Sequence, residues 1–334
     1  MSDDTLLQTE EAIIQGFLAP LAASAPGAHG LLDDCATALP SPGHEFVLKT
    51  DAIAEGVHFL PGDPPADIGW KAIAVNVSDL AAKGAKPVGY LMSLAFPEAP
   101  TRSWMADFAR GLGEAQAAFG ITLLGGDTDS RPGPISITPM VIGEVPIGCM
   151  VRRAAAQPGD VVYVSGTLGD AGLGLQLRRE PSLADKWGLG PDLAEHLIQR
   201  FLRPQPRIAL SPVVLAHARA AMDVSDGLLK DLGRMCRASD AGATVHQNAL
   251  PLSEAFKAVR AADPAAADAS VLAGDDYEIL LTVDPARRFA MEAAARDAGV
   301  GLTPIGFVTV TKNVMLSDGL GHAIPVGRSG WDHF

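Results

Sequence analysis

No lysine or arginine occurs before Lys49, and the 334-residue chain carries 26 basic against 39 acidic side chains, a net charge of −13. A nucleic-acid binder needs a basic face to displace counterions from phosphate, and no basic run is present. Nucleic acid and anionic membrane are therefore excluded as expected partners. A polyphosphate ligand could be held only with metal cations placed between it and the carboxylates. Cysteine is scarce: Cys35, Cys149 and Cys236 lie far apart, with neither a CxxC pair nor zinc spacing. That suits a reducing compartment. No apolar run reaches about 18 residues, and Ser2-Asp3-Asp4 is the opposite of a basic signal-peptide start. A cytoplasmic protein with no membrane partner is the expectation. The two common nucleotide loops, G-x-x-x-x-G-K-[ST] and the kinase glycine loop, are also missing.

Hydrophobic residues make up 48% of the chain and charged residues 19%, which excludes a disordered polymer. The length suits two domains of about 150 residues each. The spacing predicts a short helix over 10–18 stopped at Pro20, a strand over 45–51 and a helix over 67–83 with Gly84 as its stop. Pro87 lies just beyond that stop. A strand over 90–96, a helix over 102–119 closed by Gly120, and strands over 121–124 and 135–145 complete the first half. The second half reads as a strand over 160–165, a turn into a helix from Gly166, and a short strand over 221–223 before a helix to Ala238. Strands over 243–247 and 277–283, a helix over 285–298 and a last strand over 303–310 follow. Strands and helices alternate loosely in both halves, so an α/β (or α+β) fold in two lobes is expected.

Acidic residues recur at element ends: Asp33-Asp34, Asp51, Asp79, Asp127 with Asp129, Asp223 with Asp226, and Asp275-Asp276. Singly, each has an ordinary explanation as a turn, a helix cap or a partner for a nearby lysine, as Lys83 is for Asp79. Together they suggest carboxylates converging on one face, tolerable only with cations among them. Asn76 and Asp79, three apart, can point from one helix face into such a site. Magnesium takes one or two carboxylates each and fills its octahedron with water and phosphate oxygens, so many acids imply several ions and a polyphosphate. Gly125–Thr128 and Ser165–Asp170 are the two glycine-rich stretches able to offer backbone N–H groups to phosphate.

The ordered set GLLDDCA (30–36), KTDAIAEGVHF (49–59), KAIAVNVSDLAAKGAKP (71–87), GGDTDS (125–130), QPGD (157–160), DVSDGL (223–228), GDDYE (274–278) and WDHF (331–334) resembles the thiamine-monophosphate kinase family. Several of these motifs are shared with the wider superfamily of aminoimidazole ribonucleotide synthetase and selenophosphate synthetase; GVHF and WDHF point to the kinase. The resemblance implies an N-terminal ATP- and metal-binding domain over 1–150, whose strands build a homodimer barrel. It also implies a C-terminal domain over 151–334 that completes the active site. Carried over by motif, Asp34, Thr50, Asp51, Asp79, Asp127, Asp223 and Asp226 would hold magnesium. Gly126, Asp127, Arg153 and Ser225 would contact ATP, and His58, Asp275 and Trp331 would meet thiamine monophosphate. The chain departs from the family pattern at Leu32, where a glycine is usual, at Lys49, where a serine usually supplies a ligand, and at Arg328, where some relatives carry an aromatic. The Lys49 ammonium would either replace a cation or point away.

The implied reaction is ATP-dependent phosphorylation of thiamine monophosphate to thiamine diphosphate, the last step of thiamine diphosphate biosynthesis. Its acceptor is a phosphate monoester with a second pKa of about 6, already dianionic at neutral pH, so no general base and no catalytic side chain is expected. Several Mg²⁺ ions would relieve the repulsion between two anions and align an in-line attack. The rival readings are another ATP-using enzyme of the superfamily and a thiamine-phosphate-binding protein that does not turn over.

Overall fold

The computed structural model describes residues 5–325 and 330. The chain divides into two compact units, Met1–Leu80 with Lys86–Gly148, and Ala81–Ala85 with Cys149–Phe334. The first unit holds β1 (His44–Thr50), β2 (Ile53–Ala54), β3 (Lys86–Phe96), β4 (Thr122–Ser130) and β5 (Ser136–Pro146). Their order is β1-β5-β3-β4, with β2 on β5. Only β3 and β4 run parallel, as a crossover through the Arg102–Phe119 helix requires. That helix starts at Thr101, whose hydroxyl accepts from the Trp104 N–H, and ends at Gly120 in the left-handed conformation (φ 64°). It buries Met105, Phe108, Leu112, Ala115 and Phe119, a three–four spacing that forms one stripe. The Pro65–Ala82 helix buries Ile68, Ile73, Val77 and Leu80.

The second unit holds β6 (Val161–Ser165), β7 (Ala220–Val224), β8 (Gly242–His246), β9 (Glu278–Val283), β10 (Leu302–Thr309) and β11 (Val314–Ser317), in the order β11-β8-β10-β6-β9-β7. Alternate side chains of β6, β9 and β7 enter different cores. Val162, Val164, Met222, Val224 and Leu280 pack with Leu228, Leu232 and Met235 of the Leu228–Ala238 helix. Tyr163, Ala221, Ile279 and Leu281 pack with Val214 and Met291. Covered on both faces, β7 and β9 are buried at every position.

Several sequence expectations are corrected. Pro20 does not stop the first helix: helical turns run Glu10–Ile13, Ile14–Leu18 and Ala19–Ala22, and the middle segment is a π turn. That widened turn gives the ring room where an α turn would clash. β3 starts at Lys86 and takes in Pro87, at a register shift between Pro87 and Gly89. β11 follows the strand read as the last one, and the Pro191–Leu202 and Glu254–Ala262 helices were not anticipated. Among the described residues no helix is long and apolar enough to cross a membrane.

Candidate active site

In the first unit, β1 delivers Lys49 and Thr50, and Asp51 follows at its end. Asn76, fully buried, fixes that end. Its Oδ1 accepts from the Asp51 N–H at 2.7 Å, and its Nδ2 donates to the Asp51 and Ala72 carbonyls at 3.2 and 3.0 Å. Asn76 is thus an anchor for the backbone of Asp51. One turn on, Asp79 shares a cation with Asp51: Lys49 Nζ lies 2.8 Å from Asp51 Oδ2 and 2.8 Å from Asp79 Oδ2. Burial alone would lower the Lys49 pKa, but the two carboxylates outweigh it and hold the ammonium above the ordinary lysine value. Of the two options the sequence left for Lys49, the one realised is a cation between acids. Lys83 Nζ donates to the Ala221 carbonyl at 2.6 Å. Thr50 Oγ1 donates to the Pro139 carbonyl at 2.9 Å, which leaves its lone pairs open.

Gly125, Gly126 and Asp127 do not form a loop. They continue β4, paired with Leu91, Met92 and Ser93 of β3. A Cβ on Gly126 would come within 1.9 Å of the Met92 carbonyl oxygen, so only glycine lets the two strands approach here. Thr50 pairs with Met140, Met140 with Leu91 and Leu91 with Gly125, one row across the sheet. Asp51 and Asp127 therefore lie at the same end of the sheet, separated by three strand spacings of ~4.8 Å, or about 14 Å. The two acids thus stand at separate strand ends along one side of the sheet, as an expectation of several ions on one face requires.

Asp34 and Asp127 are exposed. Before the paired acids the left-handed residues are His29, Gly30 and Leu31 (φ 50°, 66° and 56°), while Leu32 has φ −104°. The backbone strain thus sits at Leu31, and the leucine that replaces the usual glycine is in an ordinary conformation. His58 is half-buried, and its Nδ1 accepts from the Ala54 N–H at 3.1 Å, placing the proton of the neutral ring on Nε2.

In the second unit, antiparallel pairing of β7 with β9 brings the DVSD and GDDYE loops together. The Asp275 N–H donates to the Ser225 carbonyl and the Tyr277 N–H to the Val224 carbonyl, both at 2.8 Å. Gly274, Asp275 and Tyr277 all have positive φ (94°, 64° and 51°), a strained run that these bonds hold. Asp231, fully buried, accepts from the Ser225 and Asp226 N–H groups at 3.0 and 2.9 Å and from Arg234 Nη1 at 2.8 Å. Burial pushes its carboxyl above the usual range despite these donors. Arg234 Nη2 lies 2.5 Å and Lys230 Nζ 3.4 Å from Asp226 Oδ2. Asp223 is buried, and Arg153 is exposed, its carbonyl accepting from Ser239 Oγ.

The glycine-rich stretch after β6 remains a loop, but three of its N–H groups are spent inside the fold. Those of Gly166 and Leu168 donate to the Gly301 and Pro251 carbonyls, and that of Gly169 to Asp276 Oδ1 at 2.8 Å. A phosphate could not use these three donors without breaking bonds of the fold. Asp276 Oδ2 has no hydrogen-bond partner among the described residues, and burial pushes this carboxyl well above the usual range. Next to it Glu278 receives Arg200, Arg207 and Ser165 at 2.9, 2.7 and 2.6 Å. Gly330 lies against the same loops, where a Cβ would meet the Asp226 carbonyl at 2.3 Å. Trp331 and Arg328 fall outside the described residues.

Among the described residues no three His, Cys, Asp or Glu side chains are placed to hold a metal alone. The donor chemistry nonetheless fits magnesium. Asp51 and Asp79 aim two carboxylate oxygens at one point, where the Lys49 ammonium stands in for a cation.

Residues 32–145 match the family model for the N-terminal domain of AIR synthase related protein, and residues 157–318 match that for its C-terminal domain. The chain is 37% identical to the thiamine-monophosphate kinase of Caulobacter vibrioides, over 97% of this chain and 91% of that protein. The crystal structure of thiamine-monophosphate kinase from Stenotrophomonas maltophilia superposes with a TM-score of 0.79 at 37% identity, covering 88% of this chain and 91% of that one. AaThiL complexed with AMPPCP and TMP superposes with a TM-score of 0.75 at 32% identity, covering 93% and 98%.

Proposed function

The chain belongs to the thiamine-monophosphate kinase family, and we infer that it transfers the γ-phosphoryl group of ATP directly to the phosphate of thiamine monophosphate, giving thiamine diphosphate. The observation that carries this reading is identity of 37% to a kinase of that name over 97% of the chain. A related structure holds AMPPCP and TMP together, as a direct transfer requires.

The acceptor phosphate, with a second pKa of about 6, is already a nucleophile at neutral pH. What remains for the protein is alignment and relief of charge repulsion. Asp34, Thr50, Asp127, Asp223 and Asp226 would hold Mg²⁺, joined by Asp51 and Asp79 where an ion displaces Lys49 from between them; when bound it neutralises phosphate charge and fixes oxygen positions. Asp51 and Asp127 stand at the ends of strands three apart in the sheet, which favours different ions for the two. In the second unit Asp231 presents Ser225 and Asp226 by their backbone, and the β7–β9 hydrogen bonds hold Asp275 beside Ser225. Ser225, Gly126 and Arg153 are assigned to the nucleotide, and Asp275, His58 and Trp331 to the thiamine phosphate. Self-association through the first sheet is part of the reading: β1 is a seven-residue edge strand that leaves Leu48 63% exposed.

The test incubates the purified protein with ATP, Mg²⁺ and thiamine monophosphate and follows thiamine diphosphate by chromatography, with Asp127→Asn alongside. Product formed by wild type and reduced at least about a hundredfold in D127N is the expected result, the scale of a lost electrostatic contact in phosphoryl transfer. Retained binding of both ligands without any product would overturn the kinase assignment in favour of a binding protein.

A further inference from the structure

The backbone beneath the Asp51–Asp79 pair is held firmly. Asn76 takes both backbone groups of Asp51, and β1 is locked to β5 through the Lys49–Val141 and Thr50–Met140 pairs. Two carboxylates so fixed repel each other unless a cation lies between them. That cation is already covalently part of the chain: Lys49 Nζ sits 2.8 Å from an oxygen of each, and its side chain is 29% exposed. A divalent ion bonded to the same two oxygens at about 2.1 Å would lie within contact distance of the ammonium. The two cations exclude each other.

We propose that Lys49 is a built-in counter-cation that occupies the position between Asp51 and Asp79, so that this lobe binds one exchangeable divalent ion fewer than its carboxylates could hold. The proposal rests on the metal-assisted reading above. The ammonium neutralises one unit of charge without dissociating, which keeps the acid pair closed before any nucleotide arrives. A divalent ion entering this pair must first displace a tethered ligand.

The experiment titrates Mn²⁺ into the full-length protein with AMPPCP, counting free ion by electron paramagnetic resonance, for wild type, Lys49→Met and Lys49→Arg. K49M removes the charge and keeps the stem; K49R keeps the charge. The expected result is one additional Mn²⁺ per chain in K49M, or one site tightened about tenfold or more, with K49R like wild type. Adding Asp79→Asn to K49M should abolish the extra site, which locates it. Circular dichroism melting checks folding, and Lys49→Ser takes the place of K49M if that variant is unfolded. Equal Mn²⁺ number and affinity in wild type and K49M would overturn the proposal and leave the metal reading intact. Absence of Mn²⁺ uptake beyond that of AMPPCP alone, in every variant, would remove the metal reading and the proposal with it.

Discussion

Asp276→Asn changes one buried atom and should remove the pH dependence of stability that Asp276 imposes. The residue is 1% exposed, its Oδ1 holds the Gly169 N–H, and its Oδ2 has no partner among the described residues. Burial raises its pKa well above the usual carboxylate value, and the neighbouring acids Asp170 and Glu278 add to that against the pull of Arg200. A group whose folded pKa is raised gives its full stability below the unfolded pKa and loses it as pH climbs through the folded one. Between the two values the loss is about 1.4 kcal/mol per pH unit. For a unit of this size that is about 3–5 °C of melting temperature per pH unit. Asparagine keeps the acceptor for Gly169 and puts an unpartnered NH₂ where the protonated acid has an unpartnered OH. The two proteins should therefore match within about 1 kcal/mol at acid pH, where both side chains are neutral. Urea unfolding from about pH 5 to about pH 8 should show D276N gaining on wild type with each step upward. Parallel curves across that range would show that Asp276 does not titrate between the two states, and the reasoning from burial would be wrong.

Two further substitutions test the loops. Asp231→Ala removes the acceptor of two backbone N–H groups and leaves Arg234 half-paired. It should cost about 2–5 kcal/mol in urea unfolding and weaken nucleotide binding, measured by calorimetry; unchanged stability would show that water or a neighbour replaces the carboxylate. Leu32→Gly restores the usual family residue where no left-handed backbone exists, so it should lower stability by about 0.4–1 kcal/mol through unfolded-state entropy. A gain in stability would place the strain at Leu32 and contradict the assignment to Leu31.

The sequence was informative where its signals were local. The helix over 102–119 was readable to the residue because Thr101 and Gly120 mark its ends with side-chain and backbone chemistry. The glycine pair of β4 misled, since two glycines read as a loop while the real constraint is a carbonyl on β3 that only the fold supplies. Pro20 misled for the same kind of reason: the π turn that accommodates it has no composition of its own. In the candidate site, the acids could be picked out because carboxylates at strand ends are unusual. Their cations could not be paired with them in advance. Lys230 and Arg234 take up Asp226 only once the loop has folded back on its own helix, and Arg200 and Arg207 meet Glu278 from more than 70 residues away. The same holds for Asn76, which faces the site as expected but spends its hydrogen bonds on the backbone of Asp51.

The hydrogen bonds from Asp275 to Ser225 and from Tyr277 to Val224 join a loop assigned to the nucleotide with one assigned to the thiamine phosphate. Neither loop can open without breaking the other's bonds, so the two behave as one cooperative unit whose local unfolding free energy is shared. A ligand seated on either loop raises that free energy and so spares the second ligand part of the ordering it would otherwise impose. By linkage the help runs equally in both directions. Through this backbone link the two substrates should help each other to bind, in addition to whatever their phosphates contribute where they meet.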